Sequence, residues 1–584
     1  MNIPFKQYGI LLAKYLKQQR SSVVLLTITL LGSIGLQILN PQILGYFIDA
    51  AVEGAASQQL LTAAGLFIAI AFLTQLLAVS ATYLGESVAW TATNALRVDL
   101  AAHCLHLDLS FHKSCTPGEL VERVDGDVSA ISRFFSQLII HVLGNIILLG
   151  GILVVLFFND WRAGLTLSLF ALLALSLLLS LRSYAIVPWT KYRQVSAEFF
   201  GFLGEHLAGR EDIRANGAVS YVMNRFYQFL QRWLPIYHKA RFASTVLWGL
   251  SVGVFTIGNA IALALAAYLW NRQAITIGSA YLIFHYTNLL SQPIERIREE
   301  LEELQQVAAS VYRISDLLQV QSRLSVGGHV ALPKAELSVA FENVSFGYPD
   351  ASVTQLALSN LSFYLPAGQV LGVLGHTGSG KSTLARLLLR LYDPVLGQIR
   401  LGNVATTETP LVELRQRVGL VTQDVQLFQT TIRNNLTFFN SQIDDAQIWA
   451  TLQLLGLDSW LRSLPQGLDT LLGSDNGGLS AGQAQLLAFA RIFLKDPGLA
   501  ILDEASSRLD PTTERLIENA VDLLLTRRTG IIIAHRLATV QRVDQILILE
   551  RGQLVEYGDR QALANDPRSR FSQLLQTGST ELLA

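Results

Sequence analysis

Charge is what this 584-residue chain lacks most: Asp, Glu, Lys and Arg make up 15% of it, against roughly 25% in a typical soluble protein. Hydrophobic residues reach 51%, so the deficit points to a membrane. Net charge is −1, and the bulk balance gives no nucleic-acid footprint. Cysteine is nearly absent. Cys104 and Cys115 flank a polar stretch, fit no metal spacing and read as reduced cytosolic thiols rather than a bridge. Low-complexity segments and short internal repeats are lacking. No small-residue cleavage site follows the first apolar stretch, so the N-terminus, with Lys6, Lys14, Lys17 and Arg20, reads as a cytoplasmic amphipathic lead-in. The length calls for more than one domain.

Six stretches of the first half carry no Asp, Glu, Lys or Arg and are long enough to cross a bilayer, which takes about 20 helical residues. They run approximately 21–46, 58–85, 134–159, 163–181, 242–271 and 273–294. Lipid offers the backbone no hydrogen bonds, so each is expected to be a helix. The connections between spans two and three (Arg97, Lys113, Arg123, Arg133) and between spans four and five (Lys191, Arg193, Arg210, Arg214, Arg225, Arg232, Lys239, Arg241) are basic. The connection between spans one and two offers only Asp49 and Glu53. The positive-inside bias therefore places both termini and both long connections in the cytoplasm. Apolar spacing such as "LRVDLAAHCLHL" marks these connections as helices continuing out of the membrane.

A charged helical stretch, "IERIREELEELQQVAASVYRISDLLQ", follows span six. Gly327, Gly328 and Pro333 then break the pattern, giving a membrane domain over 1–325, a linker over 326–337 and a second domain over 338–584. In that second domain short β-rich runs ("SVAFENVSF", "VLGVLG", "LAILDE", "GIIIAH") alternate with helical runs. The expected fold class is a six-helix, all-α transmembrane domain followed by an α/β P-loop NTPase domain with a mostly parallel sheet.

The decisive stretch is "LGVLGHTGSGKSTLARLLLR", 371–390. Gly375-x-x-x-x-Gly380-Lys381-Ser382 fits the P-loop pattern, with a strand before it and a helix after it. Glycines let successive N–H groups turn inward onto one anion, and the following helix adds its N-terminal partial charge. The loop residues Gly375, His376, Thr377, Gly378, Ser379, Gly380, Lys381, Ser382 and Thr383 are the expected phosphate cradle. Lys381 would reach the β/γ-phosphates and the Ser382 hydroxyl Mg²⁺. "LAILDE", 499–504, reads as a buried strand running beside the P-loop strand. It would bring Asp503 to the Mg²⁺ shell through water and place Glu504 to polarise an attacking water.

These residues resemble the ATP-binding cassette family through most of 338–575. "LSAGQ", 479–483, is close to that family's signature. The resemblance implies that Ser480, Gly482 and Gln483 contact the γ-phosphate of an ATP held by another subunit's P-loop. It also implies that Tyr348 of "FGYPD" stacks on adenine and that Gln423 of "LVTQDVQLF" senses Mg²⁺ and touches the membrane domain. Asp510 of "SSRLD" would lie at the subunit interface, and His535 of "IIIAHR" on the γ-phosphate. In the membrane half, "TPGELVERVDGDVSAI" and "EHLAGREDIRANG" resemble intracellular segments whose short coupling helices press on the cassettes. Six spans ahead of one cassette are similar to an exporter-type half-transporter. Ala481, Ala484, Ser474 and Arg508 depart from the usual pattern without removing a catalytic group.

One P-loop and one signature per chain imply, by this resemblance, a dimer with a second half-transporter; the departures favour a heterodimer over a homodimer. The expected activity is ATP-driven export of an amphipathic or hydrophobic small molecule, lipid or peptide by alternating access, from a bacterial plasma membrane. An importer or flippase on the same fold, or an ATP-gated channel, are the alternatives. The polar residues of the spans (His141, Asn145, Asn259, His285, Tyr286 and Asn288) are expected to serve helix–helix hydrogen bonds more than cargo. They leave a mostly apolar cavity.

Overall fold

The computed structural model describes residues 13–181, 183–324, 327–348, 356–473, 479–503, 511–526, 528–534 and 540–577. The chain divides into two compact units. One comprises Met1–Leu105 with Pro117–Val320, the other His106–Thr116 with Gln321–Ala584.

The first unit is helical. Its long helices are Arg20–Val52, Ser57–His106, Gly144–Asn159, Trp161–Leu181, Val219–Asn271 and Ile277–Gln319. The Ser57–His106 helix has 50 residues, about 75 Å at 1.5 Å per residue, more than twice a hydrocarbon core of about 30 Å. It continues past its span, as the apolar spacing of the connection predicts. Side chains such as Phe72 and Phe158, 73% and 88% exposed, are tolerable only against lipid.

Five helical segments are long and apolar enough to cross a membrane among the described residues. The sixth expected span falls short, because the Ile277–Gln319 helix carries His285, Asn288, Ser291, Gln292 and Glu295 in its first half. Its position in the bundle explains why polar groups are tolerated there. It packs against the Arg20–Val52, Gly144–Asn159, Trp161–Leu181 and Val219–Asn271 helices, and Ile283, Tyr286, Leu290 and Ile294 are buried in the unit's core. Tyr286 Oη donates to Ile38 O at 2.7 Å, beside Pro41, whose missing N–H opens the hydrogen-bond ladder of that helix. The third span is not a plain helix: Leu138–Leu143 form a π-helical turn ahead of Gly144, a feature frequent at functional sites.

The second unit holds two sheets. Strands β1 (Val339–Phe346), β2 (Leu358–Leu365), β4 (Leu396–Leu401) and β5 (Val404–Ala405) form an antiparallel sheet in the order β2-β1-β4-β5. Strands β3 (Val370–Leu374), β6 (Val418–Val421), β7 (Leu499–Asp503), β8 (Thr529–Ile533), β9 (Gln545–Glu550) and β10 (Gln553–Asp559) form the other, in the order β10-β9-β3-β8-β7-β6. Only β10 runs antiparallel there. The parallel strands are apolar on both faces, as strands covered on both sides must be: every residue of β3 and β8 is buried.

Two expectations change. The first strands of this unit build a separate antiparallel sheet instead of joining the parallel one. And β7 does not run beside the P-loop strand β3, because β8 lies between them.

Candidate nucleotide site and membrane cavity

Parallel α/β sheets bind ligands beyond the carboxyl ends of their strands, and the expected residues gather there. β3 leads into the P-loop, β6 into Gln423, and β7 ends on Asp503. Gly375 has φ 145° and Gly380 φ 106°. A Cβ on Gly375 would stand 2.2 Å from Leu549 O, and one on Gly380 2.7 Å from Leu358 Cδ2. Only glycine meets both demands at once, the backbone conformation and the close approach.

Gly380 opens the Lys381–Leu388 helix, whose N-terminal N–H groups face the loop. Lys381 is 5% exposed and its Nζ donates to Gly375 O at 2.5 Å and His376 O at 3.1 Å. The ammonium is thus held inside its own loop. Ser379 N donates to His376 O at 3.0 Å, and Gly552 N to Ser379 O at 3.0 Å, tying the loop to the β9–β10 turn. A cavity of about 560 Å³ opens beside His376, Thr377, Gly378 and Ser379, with Arg551 and Arg570 on its far wall.

Ser382 Oγ lies 3.5 Å from Asp503 Oδ2. Strand order therefore did not have to be right for the pair to meet: β3 and β7 end at the same level, and the helix N-terminus reaches across β8. A serine hydroxyl and a carboxylate are the hard oxygen donors that suit Mg²⁺, which keeps water and phosphate for its remaining positions. Gln423 is exposed in the loop after β6. Glu504, Asp510, His535, Ser474 and Arg508 lie outside the described residues.

The signature stretch forms a helix start. Ser480 caps the Ala481–Lys495 helix, its Oγ accepting from Gln483 N at 3.1 Å while Gln483 Oε1 accepts from Ser480 N at 3.0 Å. This reciprocal capping box fixes the first turn. Ala481 is exposed and Gly482 buried, so the departure at Ala481 costs no packing in this chain.

Tyr348 is anchored at its hydroxyl. Its Oη and Thr383 Oγ1 share a hydrogen bond of 3.0 Å, and Arg386 Nη1 donates to Oη at 2.8 Å. Lys113 Nζ stands 3.8 Å from the centre of the ring. Neither Arg386 nor Lys113 was legible in the sequence. Arg386 lies one turn beyond Ser382 on the P-loop helix, a signal that spacing could have given, whereas Lys113 is 235 positions from Tyr348 and follows no motif. A larger cavity of this unit, about 910 Å³, lies away from the P-loop among Arg415, Phe428, Phe438, Arg491 and Lys495. Burial pulls Arg491 down to about 10 and lowers Arg415 and Lys495 as well.

In the membrane unit the polar candidates split. Asn259 Nδ2 donates to Asn288 Oδ1 at 2.8 Å, His285 Nδ1 pairs with Tyr281 Oη at 3.2 Å, and Tyr286 bonds Ile38 O. Asn259–Asn288 and Tyr286–Ile38 join helices as expected, whereas His285 bonds within its own helix. His141 and Asn145 instead line a cavity of about 480 Å³ with Ser291, Gln292, Glu295, Arg296 and Glu299. This cavity is lined by polar and charged side chains. His141 lies in the π-helical turn, and the Ile277–Gln319 helix supplies the charges.

Two family models match the chain: an ABC transporter transmembrane region over residues 23–294 and an ABC transporter domain over residues 358–507. The chain belongs to the ABC transporter family. This ABC transporter is 30% identical to an ATP-dependent lipid A-core flippase of Photorhabdus laumondii over 476 residues, 80% of each chain. It is 31% identical to a mitochondrial iron-sulfur clusters transporter of Homo sapiens, over 85% of this chain and 66% of that one. A solved bacterial Atm1-family ABC exporter with ATP bound superposes with a TM-score of 0.81 and 25% identity, covering 96% of this chain and 98% of that one. The ABC transporter studied is accordingly an integral membrane protein that binds nucleotide, hydrolyses ATP and belongs with the exporters.

Proposed function

We propose that the chain exports an amphipathic molecule by alternating access, as one half of a dimer in a bacterial plasma membrane, with both termini and the cassette in the cytoplasm. The observation that carries this reading is the meeting of Ser382 and Asp503, 3.5 Å apart, beside an ammonium, Lys381, held in a glycine cradle. Lys381 turns from its loop carbonyls to the β/γ-phosphates, and Tyr348 carries the adenine. Ser382, Gln423 and, through water, Asp503 would hold Mg²⁺, which would supply neutralising charge at the phosphates. Glu504 takes the proton of the attacking water and His535 holds the γ-phosphate. Ser480, Gly482 and Gln483 close on the ATP of the second subunit, with Asp510 at that interface, so that ATP binds the closed pair more tightly than the open one. That differential affinity is what drives the membrane helices between their two states. The departures at Ala481, Ala484, Ser474 and Arg508 favour a heterodimer.

For the cargo, a polar end fits the cavity of Glu295, Arg296, Glu299, His141 and Asn145, and an apolar body fits the surrounding helix faces. The test is Glu504→Gln in proteoliposomes. A pump stops cycling and transporting; an ATP-gated channel stays open with ATP, which would refute the reading.

A further inference from the structure

Lys113 belongs to a short helix, Leu109–Ser114, in the turn that directly follows the 50-residue Ser57–His106 helix. This turn is built into the nucleotide-binding unit. Asp108 accepts from Phe111 N at 3.1 Å and from Arg323 N at 2.5 Å, and Leu109 packs against the core that contains Val339, Leu358 and Leu384. Lys113 is therefore held at its post by a defined anchor rather than by chance contact of a surface side chain.

The ring beneath it is equally fixed. Phe346 and Tyr392, 3% and 4% exposed, pack against Tyr348 with ring centres 5.0 and 5.4 Å away and planes at 82° and 87°. Thr383 and Arg386 hold the hydroxyl. The ammonium of Lys113 stands over the ring, 3.8 Å from its centre, closer than the Arg386 guanidinium carbon at 5.9 Å.

We infer that Lys113 is a positioning residue that competes with adenine for the face of Tyr348. A cation at that distance is bound by the ring's quadrupole, and a base stacks at similar range on the same face, so the two exclude each other. ATP must displace Lys113 to seat its base, and Lys113 displaces the base when it returns. Nucleotide capture is then tuned by one side chain of this anchored turn.

The inference rests on the reading of Tyr348 as the adenine platform, and the test separates the two. Full-length protein in lipid nanodiscs, without magnesium so that no turnover occurs, is titrated with ATP and with inorganic tripolyphosphate, which carries phosphates but no base. Lys113→Met is expected to tighten ATP roughly two- to tenfold and to leave tripolyphosphate unchanged. Lys113→Arg is expected to bind ATP as the natural chain does. In a Tyr348→Ala background, Lys113→Met is expected to change nothing. Unchanged or weaker ATP binding by Lys113→Met overturns the inference, and so does an equal shift for tripolyphosphate, which marks a field effect on the phosphates alone. If Tyr348→Ala by itself leaves ATP binding untouched, the platform reading fails and this one with it, a result distinct from the other two.

Discussion

Ser382 Oγ and Asp503 Oδ2 lie 3.5 Å apart although the strands that lead to them are separated by a third. The pair converges because parallel strands end at one level and the P-loop helix starts across them. Replacing Asp503 by Asn keeps the shape and removes the charge. ATP turnover is expected to fall by about 10²–10³-fold, the usual cost of losing one oriented electrostatic group, with the thermal midpoint unchanged. A steady-state ATPase assay beside a melting curve checks both.

Asp127 is 2% exposed and takes hydrogen bonds from Ser310 Oγ and Arg313 Nε, each at 2.8 Å, and from Arg313 Nη2. The Arg313 side chain is 49% exposed, so solvent screens part of the pair. Asp127→Ala leaves the Ser310 hydroxyl without its acceptor and is expected to destabilise the membrane unit by about 1–3 kcal/mol. A fluorescence melt in detergent reads the loss.

Gly278 sits where the Arg20–Val52 and Ile277–Gln319 helices nearly touch. A Cβ there would lie 2.3 Å from Gly45 O and 2.5 Å from Asp49 Oδ2. Asp49 also accepts from Gly278 N and from Thr276 Oγ1, each at 2.7 Å. Gly278→Ala must part the two helices and break this clasp, at a cost of about 1–3 kcal/mol. A fluorescence melt in detergent is expected to show the loss as a lowered midpoint.

Burial alone would raise the Asp108 carboxyl, but hydrogen bonds from Arg323 N and Phe111 N hold it below its ordinary value of 3.8. A depressed folded-state value stabilises the anchor above 3.8 and loses that contribution as pH falls through the folded value. Pepsin cleavage within Leu109–Ser114 is therefore expected to accelerate as pH drops below 3.8. Asp108→Asn should be cleaved readily at the higher pH too and show little pH dependence of its own.

The parts legible in the sequence are those whose signal is local. The P-loop is a fixed spacing between a strand and a helix, and its residues stand where that spacing puts them. Span lengths likewise follow from runs without charge. Strand order is not local, so "LAILDE" could be read as a strand but not placed two positions from β3. The antiparallel sheet escaped for the same reason: β1, β2 and β4 mix polar residues with apolar ones, which signals a strand exposed on one side but does not say which strands pair. The polar cavity was missed because it joins His141 and Asn145 to Glu295 and Arg296 of a helix far away in sequence. Lys113 needed two distant segments to meet, which no window of sequence reports.

The central claim is that ATP held by Lys381 drives the membrane helices. The direct measurement is concentrative uptake into inside-out proteoliposomes of a cargo that stimulates ATPase activity, with Lys381→Ala beside the natural chain. The account predicts that hydrolysis and accumulation against a gradient are lost together. Accumulation at an undiminished rate by Lys381→Ala would contradict it.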